Sequence, residues 1–360
     1  VDREIVTNNK KYWLGVKMIP GLRNRIYVLA DRAGGPQHLW EAGKDDLIDL
    51  GLDKQTAGEV IAERKMLDLD RRYADLTSNG IDIITTEDNE YPRLLKEAPY
   101  HPKALFVKGR LADIRTAVAI VGARRATAQG KAMAEELASE IAAGGVAIVS
   151  GAARGIDTSG HRGALDAGGT TYAVLGCGLD MVYPPENKNL FKKIIENGAL
   201  ISEYPPGTPP LSHHFPVRNR IVAGMCQAVV VVEAGLKSGA LITADFALDY
   251  GRDVLAVPGF SKSDVSRGAN RLIKQGAYLV ESAEDVLSLL GVEHVLRPQT
   301  DALNQIEKDF LEIMGWEAQR LDDLTAATGA SIASVSALLL TLEISGFIKR
   351  DISGSYIRLK

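Results

Sequence analysis

Between residues 115 and 290 the chain alternates short, nearly unbroken apolar runs with longer amphipathic stretches. TAVAIVG, GVAIVSG, TTYAVLG, GALISE, QAVVVVEAG and RDVLAVPG are rich in branched residues, the pattern of parallel strands covered on both faces. The segments between them, among them AQGKAMAEELASEIAAGG, NKNLFKKIIENG and LITADFALDYG, carry apolar residues at helical spacing. This alternation predicts a doubly wound, mostly parallel α/β sheet of the extended Rossmann-like kind. GAYLVES predicts one further edge strand ahead of AEDVLSLLG.

The flanks follow other rhythms. Residues 10 to 70 read as short helices punctuated by Pro20-Gly21, Gly34-Gly35-Pro36 and Gly51. They are similar to small helical modules of the sterile-alpha-motif or helix-hairpin-helix group, or form a helical cap on the next domain. Residues 293–303 lack periodicity and read as a linker. In the tail, DFLEIMG, RLDDLTAATG and SIASVSALLLTLEISG precede two strands expected to join at Ser353-Gly354, which is winged-helix order. The expected domains are residues 1–75 (helical), 76–292 (Rossmann-like), 293–303 (linker) and 304–360 (winged-helix-like).

Composition narrows the function classes only a little. The 360 residues are 46% hydrophobic and 24% charged with a net charge of -4, so any nucleic-acid binding must come from a local basic patch. No apolar run reaches the ~18 residues of a membrane span, and the N-terminus is too polar for a secretory signal. The expectation is a cytoplasmic protein without membrane contact. Cys177 and Cys226 lie beside apolar runs without metal-ligand spacing and read as small buried hydrophobes; no metal and no cofactor is expected.

Open parallel sheets collect ligands where strands end and helices begin. Those junctions are rich in glycine and charge: Gly122 and Arg124 after the first parallel strand, Arg154 and Asp157 after the second, Lys188 after the third, FPVRNR after the fourth, and Ser238, Gly239 and Thr243 after the fifth. Glycine lets backbone approach an anion, hydroxyls donate, and guanidinium groups grip phosphate oxygens in pairs. FPVRNRIVAG reads as a helix started at its proline, with Arg218, Asn219 and Arg220 gathered at the positive end, where a shared anion would explain them. Several such loops on one edge suggest a polyanion. Arg154 has a second reading as a brace for Asp157 or a helix end, Lys188 and Lys237 as solvated lysines, and Thr243 as a residue bonded back within its helix.

Other chemistries fit poorly. Gly122-Ala123-Arg124 with its next glycine at Gly130 departs from the dinucleotide fingerprint, and no P-loop motif is present. Asp157 and His161 share a helical face, but no nucleophile elbow stands beside them; Asp157 reads as a loop brace and His161 as a packed residue behind the site, so no catalytic residue is assigned.

IVGARRATAQG, IVSGAARGIDTSGHRGAL, YAVLGCGLDMVYPPENKNL, FPVRNRIVAG, VVVVEAGLKSGALITADFALDYGRDVLAVPG and SRGANRLIKQGA resemble, in order, the blocks of the DNA-processing protein A (DprA/Smf) family. The resemblance implies a non-enzymatic, homodimeric protein that binds single-stranded DNA, protects it during natural transformation and helps load the RecA recombinase. It places the phosphate pocket at Arg124, Lys188, Arg218, Asn219, Arg220, Ser238, Gly239 and Thr243. Ala123 stands where the family usually has serine, and Pro185 where a basic residue is common. Leu272, Ile273, Tyr278 and Leu279 are candidates for an apolar dimer patch, and Tyr183, Tyr204 and Phe215 for base stacking. Two rivals are a phosphoribohydrolase-like nucleotide-processing enzyme and a winged-helix transcriptional regulator. The candidate recognition helix of the tail has no lysine or arginine, which favours protein contact or internal packing over groove reading.

Overall fold

The computed structural model describes residues 2–22, 25–111, 116–292, 303–351 and 354–359. The expected linker at 293–303 and the turn at Ser353 lie almost wholly outside them. Six helices come first: α1 (Asp2–Met18), α2 (Ile26–Ala33), α3 (Pro36–Glu41), α4 (Lys44–Asp49), α5 (Lys54–Met66) and α6 (Leu69–Ser78). Two strands, β1 (Ile81–Thr85) and β2 (Ala104–Gly109), flank α7 (Arg93–Glu97).

The alternating core then runs β3 (Ala117–Val121), α8 (Ala128–Ala143), β4 (Ala147–Ser150), α9 (Ile156–Asp166), β5 (Thr171–Leu175), α10 (Lys188–Asn197), β6 (Gly198–Ser202), α11 (His214–Gly224) and β7 (Ala228–Val231). It continues through α12 (Gly239–Asp249), β8 (Asp253–Ala256), α13 (Arg267–Lys274), β9 (Tyr278–Leu279) and α14 (Ala283–Leu289). The tail is α15 (Gln305–Met314), α16 (Leu321–Thr328), α17 (Ile332–Ile344), β10 (Ile348–Arg350) and β11 (Tyr356–Arg358).

All seven strands expected from apolar runs are present, and they form a nine-stranded sheet in the order β1-β2-β6-β5-β4-β3-β7-β8-β9. The pairs from β6 through β9 are parallel, while β1 pairs with β2 and β2 with β6 in antiparallel fashion. That antiparallel edge was not anticipated. Its strands are short, and Asp82 and Lys108 interrupt the apolar runs that marked the others.

Alternation along each strand divides the core. Ala117, Ala119 and Val121 of β3 point to the face covered by α11 and α12, whereas Val118 and Ile120 point to α8, α9 and α14. Toward the antiparallel edge, Ile83, Phe106, Ala173 and Leu200 belong to a different face, where Leu165 of α9 reaches only the margin. They share one apolar cluster with Trp13, Leu14 and Leu76 of the N-terminal helices and with Phe191 and Ile194 of α10. The helical N-terminus therefore completes a sheet face, as the cap reading expected.

A largely buried charge network ties this cap to the core. Lys17 Nζ donates to Tyr27 Oη (2.6 Å) and to the Glu203 carbonyl (3.1 Å), and Tyr27 Oη donates to Glu203 Oε1 (2.6 Å). Arg220 Nη2 donates to Glu203 Oε2 (2.5 Å), with both side chains no more than 13% exposed. Burial lowers the Lys17 pKa to about 8 against the pull of Glu203. For Glu203, burial pushes the carboxyl up, but Arg220 and Lys17 outweigh it and hold its pKa below the ordinary glutamate value.

Behind the sheet, His161 of α9 is fully buried, with Nδ1 2.7 Å from Thr171 Oγ1. Because the threonine hydroxyl donates to the Ile148 carbonyl (2.8 Å), its oxygen accepts, which places the imidazole proton on Nδ1. Burial and then Arg218 lower the His161 pKa to about 3, so the ring is neutral in the folded protein.

Of the four residues considered for a dimer patch, Leu272 is buried and Ile273 packs on the same cluster, leaving only Tyr278 and Leu279 exposed, at 52% and 46%. The tail rests on the core through Gln129 Nε2, which donates to the Trp316 carbonyl (2.7 Å), and through Lys349 facing Glu135 (3.6 Å).

Two outcomes follow from these buried groups. Glu203→Gln leaves two enclosed cations without their carboxylate and should lower unfolding free energy in urea by about 3–5 kcal/mol. Lys17→Met removes a cation together with its desolvation cost and should lose less; an unchanged midpoint for Glu203→Gln would contradict the assignment. The depressed His161 pKa contributes stability that is fully present above the unfolded value of about 6.5 and is lost as pH falls toward the folded value. Relative to His161→Gln, the parent protein should therefore lose up to about 1.4 kcal/mol more per pH unit between about pH 6 and 4. Parallel stability curves would refute a buried neutral imidazole.

Candidate functional site

Strand β3 has β4 on one side and β7 on the other, so the direction of winding reverses at its carboxyl end. Crevices of open α/β sheets lie at such reversals. Here a cavity of about 610 Å³ opens between the turn after β3, the loop after β4, the first turns of α11 and the start of α12. Gly122, Arg124, Arg218, Asn219, Ser238, Gly239 and Thr243 all line it, which brings together seven of the ten residues expected at the site.

Arg218 is the most constrained of them. It is 3% exposed, and its Nη1 donates to the carbonyls of Gly151 (2.7 Å) and Val174, while Nε donates to Asn219 Oδ1 (3.2 Å). The guanidinium lies flat against Gly151, where a Cβ would come within 2.6 Å of Cζ. Burial lowers its pKa to about 10, which leaves it cationic at neutral pH. Asp157, also buried, stands nearby and accepts from the Ala153 N–H (3.2 Å) as a loop brace. Burial raises the Asp157 pKa, against the opposing influence of Arg218, the Ala153 N–H and Arg124.

The loop after β4 is held in an unusual conformation from several sides. Ala152 has a left-handed φ of 52°, and Gly155 has φ 77° with its α-carbon against the Ala123 carbonyl, where no side chain fits. Asn187 Nδ2 donates to the Ala152 carbonyl (3.0 Å) and to Thr158 Oγ1 (2.9 Å). In NKNL, then, Asn187 fixes the site's loop from behind, a role the sequence reading did not assign.

Across the cavity, Ser238 caps α12 by accepting from the Ala240 N–H (3.3 Å), and Gly239 leaves open space beside the first turn. Asn219 Nδ2 donates to the Gly239 carbonyl (3.1 Å) and so joins α11 to α12. The Arg124 guanidinium lies over the Phe215 ring at 5.0 Å, and Phe215 packs on Tyr183 at 5.5 Å. Of the lining cations, sequence reasoning left out Arg125, and it weighed Lys237 but read it as a solvated lysine. Each sits beside a residue that was chosen, in the same strand-to-helix turn. Four cations, Arg124, Arg125, Arg218 and Lys237, thus face one lining carboxylate, Asp157. Among the described residues, Arg124, Arg125 and Lys237 have no ion pair.

Three expected residues are placed elsewhere. The helix carrying FPVRNR starts at His214, two residues before Pro216, because a proline costs nothing in a first turn whose N–H groups are unpaired. Arg218 and Arg220 therefore occupy the second turn, and residues two apart on a helix point about 200° apart. Arg220 faces away from the cavity into its pair with Glu203, which corrects the expectation of a common anion. Lys188 opens α10 beside a separate cavity of about 500 Å³ lined by Leu14, Met18 and Phe191. Arg154 pairs with Glu186 at half-exposed positions, rather than with Asp157.

The cavity is lined by cations, hydroxyl groups and backbone. Its lining includes no thiol, and His161 lies buried behind it with a neutral ring. Both cysteines are buried, and burial pushes the Cys177 thiol up to about 11. No group of three or more metal-ligating side chains stands together among the described residues, and no single helix there is long and apolar enough to cross a membrane.

Comparison with known proteins agrees with this geometry. The family of DNA recombination-mediator protein A matches residues 82–291, and the DprA winged helix domain matches residues 296–351. Protein Smf of Synechocystis sp. is 32% identical over 98% of this chain and 100% of its own length. Protein Smf of Escherichia coli is 35% identical over 89% of this chain and 90% of its own. Among solved structures, DNA processing protein A of Streptococcus pneumoniae superposes with a TM-score of 0.66 at 36% identity, covering 79% of this chain and 97% of that one. The Helicobacter pylori protein, solved for its unique single-stranded DNA binding mode, gives 0.53 at 31% identity over 59% and 97%. With the sheet order, the switch-point cavity and the winged-helix tail in place, the chain belongs to the DNA recombination-mediator protein A family, the DprA/Smf proteins.

Proposed function

We propose that the carboxyl edge of the sheet binds single-stranded DNA, holding phosphodiesters in the switch-point cavity and breaking no bond. The observation that carries this reading is the set of three exposed cations without ion pairs, Arg124, Arg125 and Lys237, arrayed around the enclosed charge of Arg218 and the start of α12. Cations that no carboxylate neutralises, at the positive end of a helix, favour an anion. Phe215 and Tyr183 add an aromatic wall on which a base can stack, an arrangement that tolerates any sequence. The Helicobacter pylori relative, described by its single-stranded DNA binding mode, supports the same polyanion.

Arg154 and Lys188 are assigned to the outer rim, where a strand leaving the cavity passes the pair of Arg154 with Glu186. The family resemblance extends the proposal to a cytoplasmic homodimer that delivers the bound strand to RecA during transformation. The exposed Tyr278 and Leu279 on edge strand β9 suit the self-association. The domain division at residues 75, 292 and 303 is part of the same reading, with the tail docked on the core rather than reading duplex DNA.

Replacing Arg124 and Lys237 together by alanine should weaken oligothymidylate binding at least about tenfold. It should also flatten the log–log salt dependence by about 1.4, the slope of two single-strand phosphate contacts. Fluorescence anisotropy across a salt series measures both. Unchanged affinity and slope would remove the cavity as the binding site.

A further inference from the structure

The opposite face of α11 carries a second cavity. It has a volume of about 570 Å³ and lies between α2, the turn at Tyr100 to Lys103, the segment after β6 and the start of α11. Its lining is again cationic and aromatic: Lys17, Arg25, Lys103 and Arg220 face a single carboxylate, Glu203. Glu203 is already engaged with Lys17, Tyr27 and Arg220, and Lys103 also pairs with Asp31 outside the lining. Arg220 Nη1 is buried and has no hydrogen-bond partner among the described residues. A charged donor enclosed in this way is costly unless something accepts from it.

The aromatic groups are equally specific. The rings of Tyr204 and His214 stack 4.0 Å apart with 20° between their planes, and the exposed His213 ring packs edge-on at 4.5 Å. Tyr100 holds a left-handed φ of 56° and is 88% exposed at the mouth. Backbone strain in a bulky residue is kept where surrounding structure enforces it, and here it holds a large ring out toward water.

The two cavities adjoin across a single helix. Phe215, Arg218 and Asn219 line the first, and His214, Val217 and Arg220 line the second, while Ser212 and His213 carry the lining from one to the other. An α-helix is about 10–12 Å across, a step that a few nucleotides span.

We propose that this cavity is a second subsite for the same single strand, accepting a phosphate at Arg220 and Arg25 and a base against Tyr100 and the Tyr204–His214 stack. The proposal rests on the reading of the switch-point cavity as the primary site. It assigns to the N-terminal helices, which supply Arg25 and Tyr27, a share in strand binding beyond covering the sheet. The strand runs from the Phe215 wall over the first turn of α11 to Tyr100.

The test measures binding of dT6 and dT20 by anisotropy for the full chain, for Tyr100→Ala with Arg25→Ala, and for Arg124→Ala. Both residues of the double variant are exposed and lie outside the buried network, so the fold should survive, as circular dichroism checks. The double variant should bind dT6 as the parent does and lose about tenfold on dT20, in keeping with one lost base stack and one phosphate contact. Equal affinity of parent and double variant for dT20 would overturn the second subsite. If Arg124→Ala weakened dT6 in the same series, the primary reading would stand regardless; no effect of Arg124→Ala on either length would instead remove the primary site. Oligothymidylates carrying a single 4-thiothymidine should cross-link to the Tyr100 peptide from a position a few nucleotides away from the one that reaches the Phe215 peptide. Cross-links confined to the Phe215 peptide, or a dTMP that protects Tyr100 while dT20 does not, would count against a continuous strand path.

Discussion

Everything at the sheet's carboxyl edge is arranged around one enclosed cation. Arg218 donates to the carbonyls of Gly151 and Val174 and packs against the α-carbon of Gly151, so it clamps the loop after β4 and the end of β5 to α11. Hydrogen bonds from a charged donor stabilise by about 1.5–3 kcal/mol each, but removing a guanidinium from water costs several kcal/mol. Backbone carbonyls satisfy the donors without cancelling the charge. Asp157 stands near enough to moderate it, yet burial pushes that carboxyl toward its neutral form. The result is a fixed positive potential at the floor of a cavity whose rim holds three further cations, a setting in which an anion relieves a cost already built into the fold.

The same helix shows the contrast. Two residues further on, Arg220 is as enclosed as an ion pair with Glu203 allows, and its charge serves to join the N-terminal helices to the core through Lys17 and Tyr27. One short sequence, VRNR, thus contributes to two cavities on opposite faces of α11, with Asn219 linking α11 to α12 in between. The antiparallel edge β1-β2 makes this possible. It extends the sheet beyond β6, and the helical cap that covers it brings α2 alongside the segment from Glu203 to Thr208.

Much of this was legible in the sequence. Strands buried on both faces announce themselves as unbroken apolar runs, and β3 to β8 were read that way, with β9 read as an edge strand; glycine and charge at their ends marked Gly122, Arg124, Ser238, Gly239 and Thr243 for the cavity that gathers them. Strands β1 and β2 escaped because Asp82 and Lys108 break runs of only five or six residues. The grouping of Arg218 with Arg220 treated sequence neighbours as spatial neighbours, where the helical repeat turns them to opposite sides. Lys188 and Arg154 lie in the right loops, but their directions depend on the course of the backbone around Pro184 to Asn187, which periodicity does not encode. Asn187, Arg125 and Lys237 show the converse: their parts come from tertiary placement, and composition at the junction was the only available signal.

The most direct measurement is a crystal structure of the full chain with a short oligothymidylate at low salt. The account predicts phosphate oxygens within hydrogen-bond reach of Arg124 and the first turn of α12, above the buried Arg218, with a thymine ring on the Phe215–Tyr183 wall. A strand seated on the winged-helix tail, with the switch-point cavity empty, would contradict it.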